Sequence, residues 1–344
     1  MKELFLELLQ ISLGTRDKLS RVPSEQEWKA LYDEAERQAV VGVQLSGLER
    51  LPEEQLPPID LKLQWIGEIQ IMESEYRSHC ERAIELTRRF RAVGFRSCVL
   101  KGVGMAQLYP DPSLRQCGDI DLWVNGRRKD VMAWMRSQCD IIHVAWHHVN
   151  VAFFEDVVVE VHFHSSWLYN PFHYINLRRF FEKEKDKQME EKEKGFGYPT
   201  PAFNAVYALT HILRHLLEEG VGFRHVIDYY YVIRSLSVEE REVASSIIQE
   251  VGMSKILGAL MYVLKKACGI SEDMLLCEPN EKEGMFFMEE LFTAGNFGQT
   301  RQDGLSRNTL GRWLLMIMHY PSEVLWMFPF KVRNKAWKLF CKNM

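Results

Sequence analysis

Two aspartates separated by a single residue, Asp119 and Asp121, form the pattern in the chain that points most directly to chemistry. Polar and apolar residues alternate over 119–124, which predicts a half-buried strand. Residues two apart in a strand face the same side, so both aspartates project together while Ile120 and Leu122 face the core. Two carboxylates this close repel each other, and a divalent cation between them reverses that effect. We interpret the pair as ligands of a hard cation such as Mg²⁺, the alternative being a solvated strand end.

A third carboxylate, Glu160, lies in a second segment of alternating residues, 157–164. Together with 147–154, this segment predicts a β-hairpin. If the later strand of the hairpin pairs beside the aspartate strand, Glu160 joins the two aspartates. Three clustered acids suit a two-metal phosphoryl-transfer site, in which two acids hold the metals and the third activates an acceptor hydroxyl. The alternative for Glu160 is a surface carboxylate on an open sheet face.

Two histidines, His162 and His164, share the strand face of Glu160. A zinc site is not indicated there, because no cysteine or third histidine lies nearby at a ligand spacing. We predict that His162 contacts a substrate phosphate or holds a metal-ligating carboxylate in position.

Lys101 and Gly102 follow a short β-prone segment, 96–100, and precede a predicted helix over 103–109. A glycine-containing junction between a strand and a helix offers backbone N–H groups and the positive end of the helix dipole to an anion. Lys101 adds a point charge that suits a phosphate, the alternative being an ion pair with one of the acids. Arg115 is interpreted as a bidentate phosphate ligand or as a structural clamp on Asp119 or Asp121, and both interpretations stay open.

The elements that position these side chains form an α/β block over 94–168. Residues 1–93 before it and 169–344 after it show helical periodicity. The pattern predicts an α+β protein, in which a sheet core with helices is flanked by an N-terminal and a C-terminal helical region. Helices are predicted at 62–93, 103–109, 128–138, 201–218, 222–236, 238–250, 254–268, 284–294, 307–319 and 322–341.

These residues resemble the uncharacterised nucleotidyltransferase family of the polymerase-β-like nucleotidyltransferase superfamily. The motifs that carry the resemblance are Lys101-Gly102, Arg115, Gly118-Asp119-x-Asp121 and Glu160-x-His162. A weaker likeness continues in His211-x-x-x-His215 and in Gly222-Phe223-Arg224-x-x-x-Asp228, similar to a helical segment of that family. From the residues themselves, Ile212 stands where a zinc protease has glutamate. We therefore predict a core helix with one histidine reaching Asp228.

The resemblance implies a nucleotidyltransferase-like core with a mixed or antiparallel sheet. It implies Mg²⁺- or Mn²⁺-dependent transfer of a nucleoside monophosphate from a nucleoside triphosphate to a hydroxyl of an unknown acceptor, with release of pyrophosphate. Asp119, Asp121 and Glu160 are then catalytic and metal-binding residues. The residues that bind the nucleotide are then Lys101, Gly102, Arg115 and His162. The alternative is a catalytically silent binding or scaffold protein of the same fold. Lys-Gly stands here where the superfamily has Gly-Ser, and this difference favours the alternative.

Composition limits the other classes of function. The 344 residues carry 43 basic and 47 acidic side chains, a net charge of −4, and 47% are hydrophobic. This is typical of a soluble globular protein and argues against a chain built to coat nucleic acid, so a nucleic-acid acceptor is possible but not indicated. Seven cysteines without a C-x-x-C motif indicate a reducing compartment. We therefore expect a cytoplasmic protein with no membrane span; no feature predicts an oligomeric state.

Overall fold

The computed structural model describes residues 1–298 and 310–340. Residues 299–309 and 341–344 lie outside the described residues. They include the first residues of the helix predicted at 307–319 and the last residue of the one predicted at 322–341. Among the helices of the described residues, none is long and apolar enough to cross a membrane.

Four helices precede the sheet. They are α1 Lys2–Leu13, α2 Glu25–Arg37, α3 Val41–Leu48 and α4 Ile59–Ala92. Local sequence explains several ends: Ser24 and Glu27 form a reciprocal capping box at the start of α2, and Gly14, with a φ of 74°, ends α1. The 34-residue α4 packs Leu86 and Phe90 into the core beneath the sheet. The predicted helical character of the N-terminal region is confirmed.

A five-stranded mixed sheet follows. Its strands are β1 Arg96–Val99, β2 Ile120–Asn125, β3 Asp140–Val144, β4 His148–Ala152 and β5 Val159–His162, and its helices are α5 Val103–Ala106 and α6 Arg128–Gln138. The strand order is β1-β2-β5-β4-β3, with β2 and β5 parallel and the other pairs antiparallel. The predicted α+β class with a mixed sheet is confirmed. The helix predicted at 103–109 is shorter than expected, since α5 has four residues.

The register between β2 and β5 determines which side chains meet. Asp121 lies opposite Glu160, while Leu122 lies opposite Val161. Both Leu122 and Val161 are fully buried. Packing of these apolar side chains fixes the register of the two strands, and the register determines which polar side chains lie opposite each other. A slip by one residue would turn the acids into the apolar core and the apolar side chains out of it, which makes this pairing strongly preferred.

Eight helices complete the described chain. They are α7 Pro171–Gln188, α8 Pro201–Glu218, α9 Phe223–Ser235, α10 Val238–Glu250, α11 Ser254–Val263, α12 Glu281–Ala294, α13 Leu310–His319 and α14 Pro321–Phe340. Side chains of the N-terminal and later helices share one apolar core, and the sheet, α4 and α6 form a second. The division into regions 1–93, 94–168 and 169–344 stays a prediction. Helices α8 and α9 pack against each other beside β1 and β2, and this packing forms the site.

Candidate active site

A cleft opens between one end of the β1–β2 pair and the helices α8 and α9. Its empty volume is about 610 Å³ when the open space at its mouth is included. Lys101, Gly102, Asp119 and Asp121 line its sheet side, and His211, Arg224 and His225 line its helix side. The cleft therefore has an acidic wall and a histidine wall that face a common space.

The structure brings the three predicted acids together beside this cleft. Asp119 lies in the turn that enters β2, Asp121 lies within β2, and Glu160 lies in β5. One carboxylate oxygen from each lies within 4.8 Å of those from the other two. We call these three residues the acid cluster. Its members are far apart in sequence, and the parallel pairing of β2 with β5 accounts for their proximity.

Asp121 is the most deeply buried member of the acid cluster. Its Oδ1 lies 2.8 Å from Lys101 Nζ and 2.9 Å from His162 Nε2. Burial opposes ionisation, but Lys101 and His162 outweigh it and hold the pKa of Asp121 below its usual range. The other oxygen, Oδ2, is also buried and has no hydrogen-bond partner in the described part of the chain. A buried carboxylate oxygen without a partner is costly, and a bound cation would remove that cost.

Asp119 and Glu160 have different surroundings. The charge of Asp121, together with burial, raises the pKa of Asp119. Glu160 Oε1 accepts a hydrogen bond from Asn150 Nδ2 at 3.1 Å, and its Oε2 lies 3.4 Å from His162 Nε2. Burial alone would raise the pKa of Glu160, but the contact with His162 lowers it. His162 thus connects two acids, and although burial opposes its charge, those acids raise its pKa.

Lys101 and Gly102 form the turn between β1 and α5. Gly102 has a φ of 56°, a conformation that favours glycine because a Cβ is disfavoured there. A Cβ at this position would also lie 3.3 Å from the backbone oxygen of Asp119. The side chain of Lys101 pairs with Asp121, so the ion pair that the sequence left as an alternative is present. Lys101 also lines the cleft, next to Gly102.

Arg115 is held at the rear of the cleft by Asp228 of α9. Its Nε and Nη2 donate to the two carboxylate oxygens of Asp228 at 2.7 and 2.8 Å, and the Tyr109 hydroxyl donates to the same carboxylate at 2.7 Å. Burial opposes the charge of Asp228, but Arg115 outweighs it and lowers the pKa of that carboxyl. The predicted clamp of Arg115 on Asp119 or Asp121 is therefore wrong. The bidentate pair instead ties the segment before β2 to α9.

A group of histidines on the helix side was not predicted as a site. His211 and His215 of α8 face each other with 2.9 Å between their Nε2 atoms, and His225 of α9 lies beside them. We call these three residues the histidine cluster. The expectation that His211 or His215 reaches Asp228 is wrong, because Asp228 is bound by Arg115. The i,i+4 spacing in α8 was visible in the sequence, but the contribution of α9 depends on helix packing.

The acid cluster has the donor set of a hard divalent cation. Three carboxylates supply oxygen ligands, and the buried Oδ2 of Asp121 has no other hydrogen-bond partner among the residues described. Such oxygen ligands suit Mg²⁺ or Mn²⁺, which also bind substrate phosphates. The residues present therefore fit a cation at the acidic wall.

Comparison with known proteins assigns the family. The model of a family described as "Uncharacterised nucleotidyltransferase" matches residues 24–269, and no curated protein matches the chain. Among solved structures, an antigenic nucleotidyltransferase-like protein from Paracoccidioides brasiliensis is similar, at 12% sequence identity and a TM-score of 0.38. That match covers 59% of this chain and 94% of the other. The range matched by the family model contains the acid cluster and the histidine cluster, and the chain belongs to the uncharacterised nucleotidyltransferase family.

Proposed function

We propose that the protein transfers a nucleoside monophosphate from a nucleoside triphosphate to a hydroxyl group of an acceptor, using Mg²⁺ or Mn²⁺ at the acid cluster. The observation that carries this proposal is the convergence of Asp119, Asp121 and Glu160, with the buried Oδ2 of Asp121 left without a hydrogen-bond partner in the described chain. Family membership supports the general reaction class. The position of the acids beside a cleft lined by Lys101, Gly102 and Arg224 supports the substrate class, because these groups suit a phosphate.

The chain's own residues take distinct parts in the proposed reaction. Asp119 and Asp121 hold the cation, which when bound offsets the charge of the phosphates. The acceptor oxygen bonds to the α-phosphorus, the bond from that phosphorus to the bridging oxygen breaks, and pyrophosphate leaves with the electron pair. Glu160 accepts the proton of the acceptor hydroxyl. His162, which contacts Asp121 and Glu160, fixes the orientation of both carboxylates.

The cleft also offers positive groups and backbone to the triphosphate. Lys101 and Gly102 lie at the cleft beside Asp119, and Arg224 lies on the opposite side. In the proposed complex Lys101 contacts a phosphate while it remains near Asp121. Arg115 is bound by Asp228 of α9. It therefore holds the helix side of the cleft in place and does not itself bind a phosphate.

One observation favours a second candidate, a catalytically silent protein that binds a nucleotide or serves as a scaffold. Lys101 Nζ lies 2.8 Å from Asp121 Oδ1, so an internal cation already offsets part of the acid cluster's charge. In a silent protein this ion pair would replace the metal. The two candidates differ in whether pyrophosphate is released.

Calorimetric titration with a non-hydrolysable nucleoside triphosphate and Mg²⁺ tests the proposal. We expect wild-type protein to bind, and the double variant Asp119→Asn, Asp121→Asn to bind on the order of 100-fold more weakly, because several kcal/mol of charge stabilisation is lost. Asp130→Asn is the matched control, since Asp130 pairs with Arg127 on the surface. A screen of the four common nucleoside triphosphates against sugar, peptide and RNA acceptors then measures pyrophosphate release.

The outcomes separate the two candidates. Release of pyrophosphate that disappears in the double variant supports the transferase. Metal-dependent binding without release, across the full screen and with a folded protein, supports the silent alternative. Binding that is unchanged in the folded double variant rules out the acid cluster as the nucleotide site.

A further inference from the structure

We propose that His211, His215 and His225 bind a divalent transition metal of the Zn²⁺ class, at a site separate from the acid cluster. This site would occupy the histidine wall of the cleft, and it does not depend on the proposed transfer reaction. Two of its residues, His211 and His225, line the cleft directly.

The first support is the convergence of three imidazoles from two helices. His211 and His215 are four residues apart on α8, so their side chains share one face of the helix, and their Nε2 atoms are 2.9 Å apart. One ring nitrogen from each of the three histidines lies within 4.8 Å of the others. In a tetrahedral Zn²⁺ site with Zn–N distances of about 2.0–2.1 Å, the ligand nitrogens are separated by roughly 3.3 Å. The 2.9 Å between the Nε2 atoms of His211 and His215 and the 4.8 Å limit for the three nitrogens lie on either side of that separation.

The second support is the state of the ring nitrogens. Burial, reinforced by neighbouring positive groups, lowers the pKa of all three histidines well below the usual value, so they are neutral at pH 7. A neutral imidazole has a lone pair for a metal. In addition, Nδ1 of His225 is buried and has no hydrogen-bond partner among the described residues. A buried unpaired nitrogen costs stability, and coordination or a bound ligand would remove the cost.

The third support is a carboxylate behind one of the rings. Glu219 Oε2 lies 3.5 Å from His215 Nδ1, near it but not hydrogen-bonded to it, and His215 Nε2 is directed at His211. A carboxylate on the far nitrogen is the arrangement that orients metal-binding histidines and increases their basicity. Glu219 is therefore placed next to the proposed site, where it would take this role if it accepted a hydrogen bond from His215 Nδ1.

The type of ligand and the local charges determine which metal is expected. Three nitrogen donors suit Zn²⁺, Cu²⁺ or Ni²⁺, whereas Mg²⁺ prefers oxygen. Positive side chains act on the cluster. Lys101 pairs with Asp121 and Arg214 lies 3.9 Å from Glu218, whereas Arg224 donates to the backbone oxygen of Gln116. With three protein ligands, a tetrahedral site would keep a fourth position for water or an anionic group, and His211 and His225 line the cleft from which such a ligand would come.

Titration of the tag-free 344-residue protein with Co²⁺ tests this proposal. After chelator treatment and dialysis, we expect one equivalent of Co²⁺ to give visible d–d absorption of tetrahedral intensity, and we expect Zn²⁺ to displace it. His225→Gln and His211→Asn should each weaken the binding by about tenfold or more. Glu219→Gln keeps all three ligands and should weaken it less.

Three variants serve as controls in the same titration. His143→Ala alters an exposed histidine, and His162→Asn alters the other histidine-containing group, which includes His148 and Glu160. The double variant Asp119→Asn, Asp121→Asn removes the acid cluster. All three should retain the Co²⁺ signal. Loss of the signal in His162→Asn but not in His225→Gln would overturn the assignment to the histidine cluster.

The wild-type protein alone can also refute the site. If it takes up no Co²⁺ and its Tm does not rise with added Zn²⁺, the three histidines form only a hydrogen-bonded cluster. That result would leave the proposed transferase untouched, because Mg²⁺-dependent nucleotide binding is measured without transition metal.

Discussion

The two walls of the cleft bring functional groups together by different means. The acidic wall is set by backbone pairing, since the β2–β5 register places Asp121 beside Glu160. The histidine wall is set by side-chain spacing on α8 and by the packing of α9 against it. One wall carries charges that need partners, and the other carries rings that burial keeps neutral.

This contrast explains how each wall is stabilised. Asp121 remains ionised because Lys101 and His162 contact the same oxygen, and removing either partner leaves a buried charge less well compensated. The histidine cluster needs no counter-charge at neutral pH, but protonation of a buried ring is unfavourable. The acidic wall is thus sensitive to the loss of a neighbour, whereas the histidine wall is sensitive to acid.

The largest effect is expected where the two walls are tied together. Asp228 and Arg115 form a bidentate pair, and both side chains are at least nine-tenths buried. Asp228→Asn removes the negative charge that holds Arg115. Leaving Arg115 buried without its partner should lower the free energy of unfolding by about 3–5 kcal/mol. Urea unfolding followed by circular dichroism measures this change.

The matched control for this variant is an exposed pair. Arg127 and Asp130 are i,i+3 partners on the surface of α6, and Arg127→Ala should change the free energy of unfolding by no more than about 1 kcal/mol. Equal effects of Asp228→Asn and Arg127→Ala would show that the Arg115–Asp228 pair does not join the walls. In that case the cleft is held by apolar packing alone.

A smaller effect is expected from the residue that positions the acids. His162→Asn removes the contacts to Asp121 and Glu160 while all three carboxylates remain. Metal-ligating groups that lose such a neighbour typically lose about 10- to 100-fold in metal affinity. Electron paramagnetic resonance of bound Mn²⁺ measures the affinity, with His143→Ala as the control. An unchanged Mn²⁺ affinity would show that the acids do not depend on His162 for their orientation.

The predictability of the two walls from sequence follows the same contrast. Alternation in 119–124 and 157–164 was sufficient to place Asp119, Asp121 and Glu160 on polar faces, because a strand has a period of two. The unpredicted strand β3 begins with exposed and half-buried residues and includes the adjacent Ile141 and Ile142 without alternation. This edge strand therefore lacked the pattern that reveals a buried one.

The partners of buried charges were harder to predict than the acids themselves. Arg115 and Asp228 are more than a hundred residues apart, and nothing in the local sequence distinguishes Asp228 from Asp119 as the partner of Arg115. His225 joins His211 and His215 only because α9 packs on α8. Such contacts depend on the relative placement of helices, which hydrophobic periodicity does not specify.

The smallest effect is a difference in pH dependence between the walls. In the unfolded chain a histidine titrates near about 6.5, and the pKa of His225 is lowered well below this by burial and by Arg224. The unfolded state therefore binds more protons as the pH falls below about 6.5, and stability decreases. His162 has a raised pKa, so its contribution to stability has the opposite sign and is lost as the pH rises.

Urea unfolding in the presence of chelator measures this difference. Between pH 7 and pH 5.5, the free energy of unfolding should decline by about 1 kcal/mol less for His225→Asn than for wild type. For His162→Asn the decline should be larger than for wild type. The same decline in all three proteins would mean that neither wall controls the acid sensitivity of the fold.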